Sequence, residues 1–413
     1  MLVRFLLPGL VLGAALTACN SRSDKPVAQT PAATPAATTD PAQPALTDSP
    51  NTWYRQYRGL LPGSSDSITV HLQRLPSTIE ETTNAGLVGF YTAADGRPHD
   101  LDGSMPAGTD SLTLRDISSE ATDDNYVSPV WRLRQQGATL VGTREGRPVR
   151  LQLVQPPRGI QMVSRSFAAQ VPARPDHPQD TIRGRTSLHA LVPVSGVAKE
   201  ALTANILRGL RGDTLDSKPV PALETLWKEQ LSSFTSDYQQ EVGLMLTELE
   251  NDTSSYRPFA TLRYEDQTST YVLWNEGDLL SIGYFGYYYS GGAHGNYGTT
   301  VASYDTRTGR RLRSTDIFRP GTKAQLEKLL GRYARLALGL KPGQPLSNVL
   351  FENTLPATSN VYLTGGGAMF VYAPYEVASY AQGEIRVFVP FTALQPLLKP
   401  GLPVGGRGEV VRK

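Results

Sequence analysis

Cysteine is nearly absent from this chain of 413 residues, which contains one. A single cysteine excludes a disulfide framework, and it also excludes zinc or iron–sulfur sites built mainly from cysteine. An excess of one charge sign is missing too, because 40 Lys and Arg stand against 38 Asp and Glu, for a net charge of +2. Binding to a phosphate backbone needs clustered positive charge, and the sequence has no basic block. We therefore exclude a dedicated nucleic-acid-binding protein.

Signatures of cofactor and metal binding are also lacking. The sequence has no Walker loop and no dinucleotide fingerprint, and Gly365–Gly367 precedes an expected strand, which makes a poor phosphate site. The five histidines are scattered, and none has the nearby second histidine that a zinc site favours. We therefore expect no cofactor and no metal.

The first nineteen residues, Met1–Cys19, have the pattern of an export signal. One positive charge is followed by an apolar run that ends at Leu16 and is too short to span a bilayer as a helix. The ending Leu16–Cys19 resembles the lipobox of bacterial lipoproteins, in which the signal is cut before a cysteine that becomes lipidated. We therefore predict a signal peptide over 1–18 and a lipid anchor at Cys19. No later stretch approaches the ~20 continuous apolar residues of a spanning helix.

Residues 20–50 are rich in Pro, Ala and Thr and have almost no large apolar side chains. Such a composition cannot offset the entropy lost when a chain becomes ordered. We expect 19–50 to be a disordered tether between the lipid and a folded body in the cell envelope, facing the periplasm or the cell exterior. Asn20 stands where an aspartate is associated with retention in the inner membrane, which favours the outer membrane.

Alternation of apolar and polar residues predicts strands throughout the next region, which we place at 51–165. Five segments show it, at 67–72, 87–91, 111–114, 130–133 and 149–153. Connections containing Gly96, Gly137 and Gly146 separate them and are typical of hairpins. We predict an all-β meander that curls into a half-open or closed barrel of about eight strands, and a filled interior is more common than a ligand site in such barrels.

The C-terminal half, 180–400, mixes helices with strands. We predict a strand over Thr186–Val194 and helices over Val197–Leu210, Ala222–Glu250 and Thr322–Leu338, the last capped by Thr322. Six further strands are expected, at Phe259–Tyr264, Thr270–Trp274, Leu279–Tyr289, Thr299–Asp305, Ala368–Tyr372 and Ile385–Pro390. This order predicts an α+β unit, an antiparallel sheet with helices packed on one side, divided at about 255.

The long helix carries an apolar stripe that steps three or four residues at a time and predicts a face packed on the core. Its members are Leu223, Trp227, Leu231, Phe234, Tyr238, Val242, Met245 and Leu249. The last helix has inward positions at Leu326, Leu329, Leu330, Tyr333 and Leu336 by the same spacing.

Four motifs in this half follow a familiar order. They are Tyr288–Gly295 (YYSGGAHG), Tyr304–Gly309 (YDxxTG), Ser314–Phe318 (STDIF) and Val371–Gly383 with Val389–Phe391 after it. The series resembles the extracytoplasmic domain pair shared by the anti-sigma factor RsiV and the non-catalytic part of the peptidoglycan deacetylase PdaC. In RsiV this region recognises lysozyme. The resemblance implies binding in the envelope, but not RsiV-type signalling, because a sigma-binding segment and a spanning helix are missing.

Tyrosine is concentrated near the first motif. Nine of the 19 tyrosines lie between Tyr256 and Tyr304, and exposed aromatic faces suit protein partners and sugar rings alike. We therefore predict a binding patch, composed of Tyr288, Tyr289, Gly291, Gly292 and His294. The alternative is that the tyrosines fill the core of the sheet, with their hydroxyl groups at its rim.

These observations favour an envelope lipoprotein that is a non-enzymatic binding module for a cell-wall component, such as a peptidoglycan fragment, or for a wall-active protein such as lysozyme. The enzymatic alternative is a cell-wall hydrolase or esterase in which His294 is the general base, oriented by Asp305 or Asp316, with Ser290 as nucleophile. A purely structural envelope lipoprotein is the third possibility.

Overall fold

A computed structural model describes residues 48–49, 51–65, 67–76, 86–92, 95–106, 108–118, 127–155, 158–212, 219–251, 259–341 and 343–404. The predicted signal peptide, the lipid anchor at Cys19 and all of the predicted tether except Asp48 and Ser49 lie outside these residues. None of the helices in the described ranges is both long and apolar enough to cross a membrane.

Eight antiparallel strands of the described chain close into a barrel in simple sequence order, and β1 pairs with β8. They are β1 Trp53–Leu60, β2 Ser67–Arg74, β3 Leu87–Thr92, β4 Pro98–Ser104, β5 Ser111–Asp116, β6 Val130–Gln136, β7 Thr139–Arg144 and β8 Arg147–Val154. Alternate residues of these strands point inward and bury one apolar cluster that includes Tyr57, Leu72, Leu114 and Trp131. The predicted eight-stranded barrel is confirmed, and its interior is filled by side chains.

The turn between β7 and β8 is one of the predicted glycine-containing hairpin connections of this barrel. Glu145 and Gly146 both have positive φ, at 51° and 78°, which suits the tight turn that matches strand twist. Gly96 and Gly137, in two other predicted connections, also have positive φ.

A six-stranded sheet follows, in the order β14-β13-β12-β11-β10-β9. Its strands are β9 Met162–Pro172, β10 Arg183–Pro193, β11 Glu265–Glu276, β12 Leu279–Tyr289, β13 Asn296–Asp305 and β14 Arg310–Leu312. The pair β10–β11 is parallel, because two helices form the crossover between these strands. The sheet is therefore mixed rather than wholly antiparallel.

Strand β9 is not among the predicted strands, because it lies mostly between the two predicted regions, 51–165 and 180–400. The strand pairs with β10 along its whole length and belongs to the second sheet. Its outer edge pairs with Asp48 and Ser49: the Ser49 amide donates to the Ser164 carbonyl at 2.7 Å, and the Ser164 amide donates to Asp48 Oδ1 at 2.7 Å. The last two described tether positions are therefore held, and they cover an exposed strand edge.

The crossover helices are α1 Lys199–Leu210 and α2 Leu223–Asn251. The predicted stripe of α2 packs on the sheet through Phe234, Tyr238 and Val242, but Met245 is exposed and Leu246 is buried in its place. The segment Phe259–Leu262, predicted as the start of a strand, is a 3-10 helix.

A three-stranded sheet completes the fold, with β15 Val361–Leu363, β16 Gly367–Tyr372 and β17 Ile385–Pro390. The helix α4, Lys323–Ala337, packs on β17, and the short helices α3 Ser314–Ile317 and α5 Phe391–Leu394 flank the sheet. Thr322 precedes α4 as predicted, but its hydroxyl donates to the Arg319 carbonyl and does not cap the helix. Leu336, predicted to face inward, is 68% exposed.

The barrel docks on the six-stranded sheet through buried polar side chains. Gln56 donates to the Asn275 carbonyl at 3.1 Å, and Gln73 donates to the Thr270 carbonyl at 2.7 Å and to His189 Nε2 at 3.0 Å. His189 then donates from Nδ1 to the Ser166 hydroxyl at 2.7 Å. Because buried polar groups need hydrogen-bond partners, this network specifies one docking geometry.

Candidate functional site

The predicted patch centres on the connection between β12 and β13, which contains Gly291, Gly292 and His294. Both glycines have positive φ, at 88° and 92°, where glycine avoids the steric cost that other residues meet. A side chain on Gly291 would also approach the Thr261 carbonyl at 3.1 Å. The two glycines therefore let the chain turn sharply and leave His294 exposed after the turn.

His294 stacks on Tyr380, a residue 86 positions later in the chain. Their ring centroids are 3.9 Å apart and the rings are nearly parallel, at 20°. His294 Nδ1 donates to the Gly295 carbonyl at 2.9 Å, and the Tyr380 hydroxyl donates to the same oxygen at 2.6 Å. One carbonyl therefore holds both rings, and it joins the β12–β13 connection to the C-terminal sheet region.

Tyr375 extends this stack toward solvent. Its ring lies 5.5 Å from that of Tyr380, and its side chain is 55% exposed. Its φ is +66°, which is unfavourable for a residue with a bulky side chain. Such strain persists only where the surrounding structure enforces it, and it concentrates at functional positions. We refer to His294, Tyr375 and Tyr380 as the aromatic patch.

The structure separates the two predicted tyrosines from each other. Successive side chains of a strand point to opposite faces, so Tyr289 shares a face with Tyr287, while Tyr288 points to the other. Tyr287 packs against Gly295, on the side of the aromatic patch. Tyr288 is 44% exposed on the opposite face, and the Tyr289 hydroxyl donates to the Gly292 carbonyl of its own loop at 3.1 Å.

Tyrosines of this region also fill the core, as the alternative interpretation expected. Tyr284 and Tyr304 are buried and share a hydrogen bond of 2.5 Å. Burial raises the pKa of Tyr304 to about 12. Part of the tyrosine cluster is therefore core, and part lies in or beside the aromatic patch.

The carboxylates of the enzymatic alternative lie elsewhere. Asp305 ends β13, nine residue steps from its first residue, which corresponds to about 30 Å at roughly 3.3 Å per residue. It accepts two hydrogen bonds from the Arg307 side chain at 2.9 and 2.7 Å, and Arg307 outweighs burial and lowers the pKa of the Asp305 carboxyl. His294 and Asp305 therefore do not form a dyad.

Asp316 has a structural role at the start of α3. Its Oδ2 accepts the Arg313 amide at 2.9 Å, and its Oδ1 lies 2.9 Å from Arg310 Nη1. Hydrogen bonds from Arg313 and Arg310 outweigh partial burial and lower the pKa of this carboxyl. Neither carboxylate orients His294, whose Nδ1 is bound to a backbone carbonyl. In the described ranges, no three His, Cys, Asp or Glu side chains come together as metal ligands would.

Sequence reasoning missed Tyr375 and Tyr380 as site residues. Both lie in the segment Val371–Gly383, which carried the family resemblance but contributed nothing to the predicted patch. Their pairing with His294 depends on contacts between distant parts of the chain. The available signal was the repetition of tyrosine at 372, 375 and 380 between two glycine- or proline-containing turns.

Comparison with known proteins identifies the C-terminal region only. Residues 315–392 match the model of DUF3298, a protein family of unknown function. A crystallised DUF3298 family member from Bacteroides fragilis is similar over 62% of this chain and all of its own, with 20% identity and a TM-score of 0.52. A DUF3298 family protein from Pseudomonas aeruginosa is similar over 60% of this chain and 98% of its own, with 20% identity and a TM-score of 0.41.

At this identity the first likeness shows a shared fold alone. No curated protein sequence matches this chain significantly. The matched segment contains α4, the three-stranded sheet and two of the three residues of the aromatic patch, Tyr375 and Tyr380. The chain therefore carries a DUF3298 domain at its C-terminal end, behind an eight-stranded barrel.

Proposed function

We propose that this protein is a lipid-anchored envelope protein that binds a wall-active protein without catalysing a reaction, and that the aromatic patch is the binding surface. The exposed, strained ring of Tyr375 beside the His294–Tyr380 stack is the observation that carries the proposal. The anchor at Cys19 and the envelope location rest on the sequence pattern of the first nineteen residues.

The shape of the aromatic patch favours a protein partner. Small molecules bind in concave sites, whereas the patch stands on two loops with Tyr375 and His294 exposed. Tyrosines that are held in place beforehand lose little entropy when they bind, and they are over-represented among the residues that dominate interface energies. The hydrogen bonds from Tyr380 and His294 to one carbonyl supply that order.

The enzymatic alternative receives less support from the geometry. Asp305 and Asp316 are bound to arginines away from His294, so His294 lacks the orienting carboxylate that this alternative required. A catalytic role of His294 would still predict turnover of purified muropeptides that His294→Ala abolishes while the protein stays folded.

Lysozyme is the first partner to test, because the resemblance to RsiV suggests it. The full chain in mild detergent is titrated against immobilised lysozyme, with insoluble peptidoglycan in parallel. We expect saturable binding to lysozyme, and Tyr375→Ala is expected to weaken it by about 2 kcal/mol or more, which is roughly a 30-fold rise in Kd.

Tyr288→Ala is the matched control, because it removes a similarly exposed tyrosine from the opposite face of β12. Affinity that falls in Tyr375→Ala and stays unchanged in Tyr288→Ala supports the aromatic patch. Equal loss of affinity in both variants would show that the binding surface is not the aromatic patch alone. Retention on peptidoglycan but not on lysozyme would show that the ligand is the wall polymer rather than a protein. Absence of binding to both would leave DUF3298 as a description of fold.

A further inference from the structure

A cleft separates the outer face of the barrel from the six-stranded sheet and from β17. Its volume is about 280 Å³, near the lower end of the range for small-molecule sites. The barrel wall comes from β2, β3 and β4, with Phe90 and Asp100 among its residues. The opposite wall comes from β11, β12 and β13, and from Glu384 and Arg386 near β17.

Glu384, which lines this cleft, keeps an unsatisfied acceptor below the cleft surface. Its side chain is only 8% exposed, and its Oε2 accepts a hydrogen bond from Arg386 Nη2 at 2.9 Å. Its Oε1 is fully buried and has no hydrogen-bond partner. A buried oxygen of this kind costs free energy, because burial excludes water and no donor of the protein replaces it.

His71, in the barrel wall of the same cleft, keeps an unsatisfied donor below the cleft surface. Burial lowers the pKa of His71 to about 3, so the ring carries one proton at neutral pH. The Tyr54 hydroxyl accepts from Gln56 and therefore donates to His71 Nδ1, at 2.8 Å, which places the ring proton on Nε2. His71 Nε2 is buried and has no partner.

The charges around the cleft disfavour an anionic ligand. Arg386 lies between Glu384 and Asp100, with its Nη1 at 3.5 Å from Asp100 Oδ2. Two carboxylates thus face one guanidinium. A further carboxylate of the lining, Asp102, is neutralised by Arg115 at 2.7 Å. The protein around Asp100 removes water from its carboxyl and raises its pKa, and a negative ligand would increase that electrostatic cost.

Aromatic rings form much of the remaining wall. Phe90, Tyr271, Phe285 and Tyr297 line the cleft. A pyranose ring has apolar C–H faces that pack on aromatic rings, while its hydroxyl groups both donate and accept hydrogen bonds. Such a ring matches a cleft whose lining includes an acceptor residue, Glu384, a donor residue, His71, and several aromatic rings.

A larger groove adjoins the cleft. It has a volume of about 660 Å³ and shares Asp100, Tyr297, Glu384 and Arg386 with the cleft. One sugar ring fits the cleft, and the groove has room for the units that follow it in a chain.

We propose that the cleft is a carbohydrate site that takes one sugar ring without negative charge, and that Glu384 and His71 turn toward the cleft on binding, so that Glu384 Oε1 accepts from the sugar and His71 Nε2 donates to it. This site is distinct from the aromatic patch, and its ligand is a free sugar rather than a protein, so the proposal goes beyond the function proposed above.

The test titrates the full chain with four hexoses that differ in charge and substituents: glucose, N-acetylglucosamine, glucosamine and glucuronic acid. Ligand-observed NMR detects the weak binding of single sugars. We expect saturable binding of at least one of the first three, with glucuronic acid at least tenfold weaker than the best of them. Failure of all three to bind, or preference for glucuronic acid, would overturn the proposal.

Two substitutions on opposite walls connect binding to this cleft. Glu384→Gln removes the carboxylate that accepts from the sugar, and His71→Phe removes the donor on the other wall, and each is expected to weaken sugar binding at least tenfold while the protein still melts cooperatively. Glu352→Gln, at an exposed glutamate outside the cleft, is the matched control and should bind as the unmodified chain does. Unchanged affinity in both cleft variants would overturn the assignment.

The outcome is independent of the aromatic patch. Tyr375→Ala should leave sugar binding intact, and Glu384→Gln should leave lysozyme binding intact. The loss of one activity in the matching variant therefore identifies which of the two proposals fails.

Discussion

The contact between the barrel and the rest of the protein has two unlike halves. In one half, which we call the sealed half, Gln73 bonds to His189 across the junction, and Asn275 braces the adjoining loop. In the other half, which is the cleft, Glu384 and His71 each keep one buried polar atom without a partner. The two halves are neighbours, since Tyr54 and His71 border both.

This difference distinguishes residues that stabilise the protein from residues that are available to bind a ligand. Satisfied polar groups define one docking geometry for the barrel, and they gain little from any ligand. Unsatisfied buried groups reduce stability, and a ligand that pairs with them would restore that free energy. Natural proteins tolerate such local losses mainly at functional sites.

Acid should destabilise the protein through one histidine in each half of the junction, His71 and His189. Burial lowers the pKa of both His71 and His189 to about 3, so the unfolded chain takes up protons near pH 6.5 while the folded protein does not. The free energy of unfolding is therefore fully retained above pH 6.5 and is lost as the pH falls toward 3. At pH 5 the expected loss is about 2 kcal/mol per histidine, or about 4 kcal/mol in total.

Denaturant titrations at pH 7 and pH 5 measure this loss. In His189→Gln, the difference between the two pH values should shrink by about 2 kcal/mol. A difference that is unchanged in this variant would show that His189 is not buried in its neutral form.

Asn275→Ala tests whether the sealed half depends on individual hydrogen bonds. The Asn275 side chain accepts the Ile160 amide at 2.8 Å and donates to the Ile160 carbonyl at 2.7 Å, so its removal orphans two buried backbone groups. We expect a loss of about 3 kcal/mol in the free energy of unfolding, measured at pH 7. A loss below about 1 kcal/mol would mean that water replaces the side chain and that the junction is less tightly sealed than the geometry indicates.

Gly366→Ala tests the close contact between two turns beside the cleft half of the junction. A Cβ on Gly366 would lie 1.9 Å from the Asp95 carbonyl oxygen, and Thr364 Oγ1 donates to the Gly96 carbonyl at 3.0 Å in the same contact. The backbones must therefore separate, at a cost of about 2 kcal/mol. Thermal melting measures this cost, and Gly286→Ala, at a glycine that also lacks positive φ but has nothing within 4 Å of its Cβ position, is the matched control.

Glu384→Gln should have the smallest effect on stability. The substitution keeps an acceptor for Arg386 but removes a buried charge that has one unpartnered oxygen, so we expect a melting temperature that is unchanged or higher by about 1–2 °C. The same variant is expected to lose sugar binding. A clear drop in melting temperature would show that Glu384 stabilises the protein, as the residues of the sealed half do. The contrast between the two halves would then be lost.

Local patterns were sufficient for the regular elements. Period-two alternation identified five of the eight barrel strands, and the three- and four-residue steps of α2 identified most of its buried face, because these signals depend on neighbouring residues alone. The same reasoning placed Phe259–Leu262 in a strand and missed β9, whose residues become a strand by pairing with β10. The same reasoning also placed Met245 on the buried face of α2, whereas the structure buries Leu246 there. The error is one residue in the side of the helix that faces the core.

The candidate sites were less accessible to sequence reasoning. His294, Gly291 and Gly292 were found because a glycine-rich loop with a histidine is visible in one short segment. Tyr375 and Tyr380 join His294 only through the contact between the β12–β13 loop and the DUF3298 domain. The predicted partners Asp305 and Asp316 lie close in sequence but point to arginines of their own turns.

The sequence by itself determined the barrel, the order of most helices and strands, and the tight glycine loop that presents His294, because each follows from interactions among residues close in the chain. Only the tertiary structure decided which aromatic rings meet at the patch and which half of the barrel junction is sealed. Those outcomes depend on pairs such as Glu384 and His71, which lie more than 300 residues apart in the chain. Whether a buried polar atom finds a partner is a property of the packed molecule, since it depends on every segment that surrounds that atom.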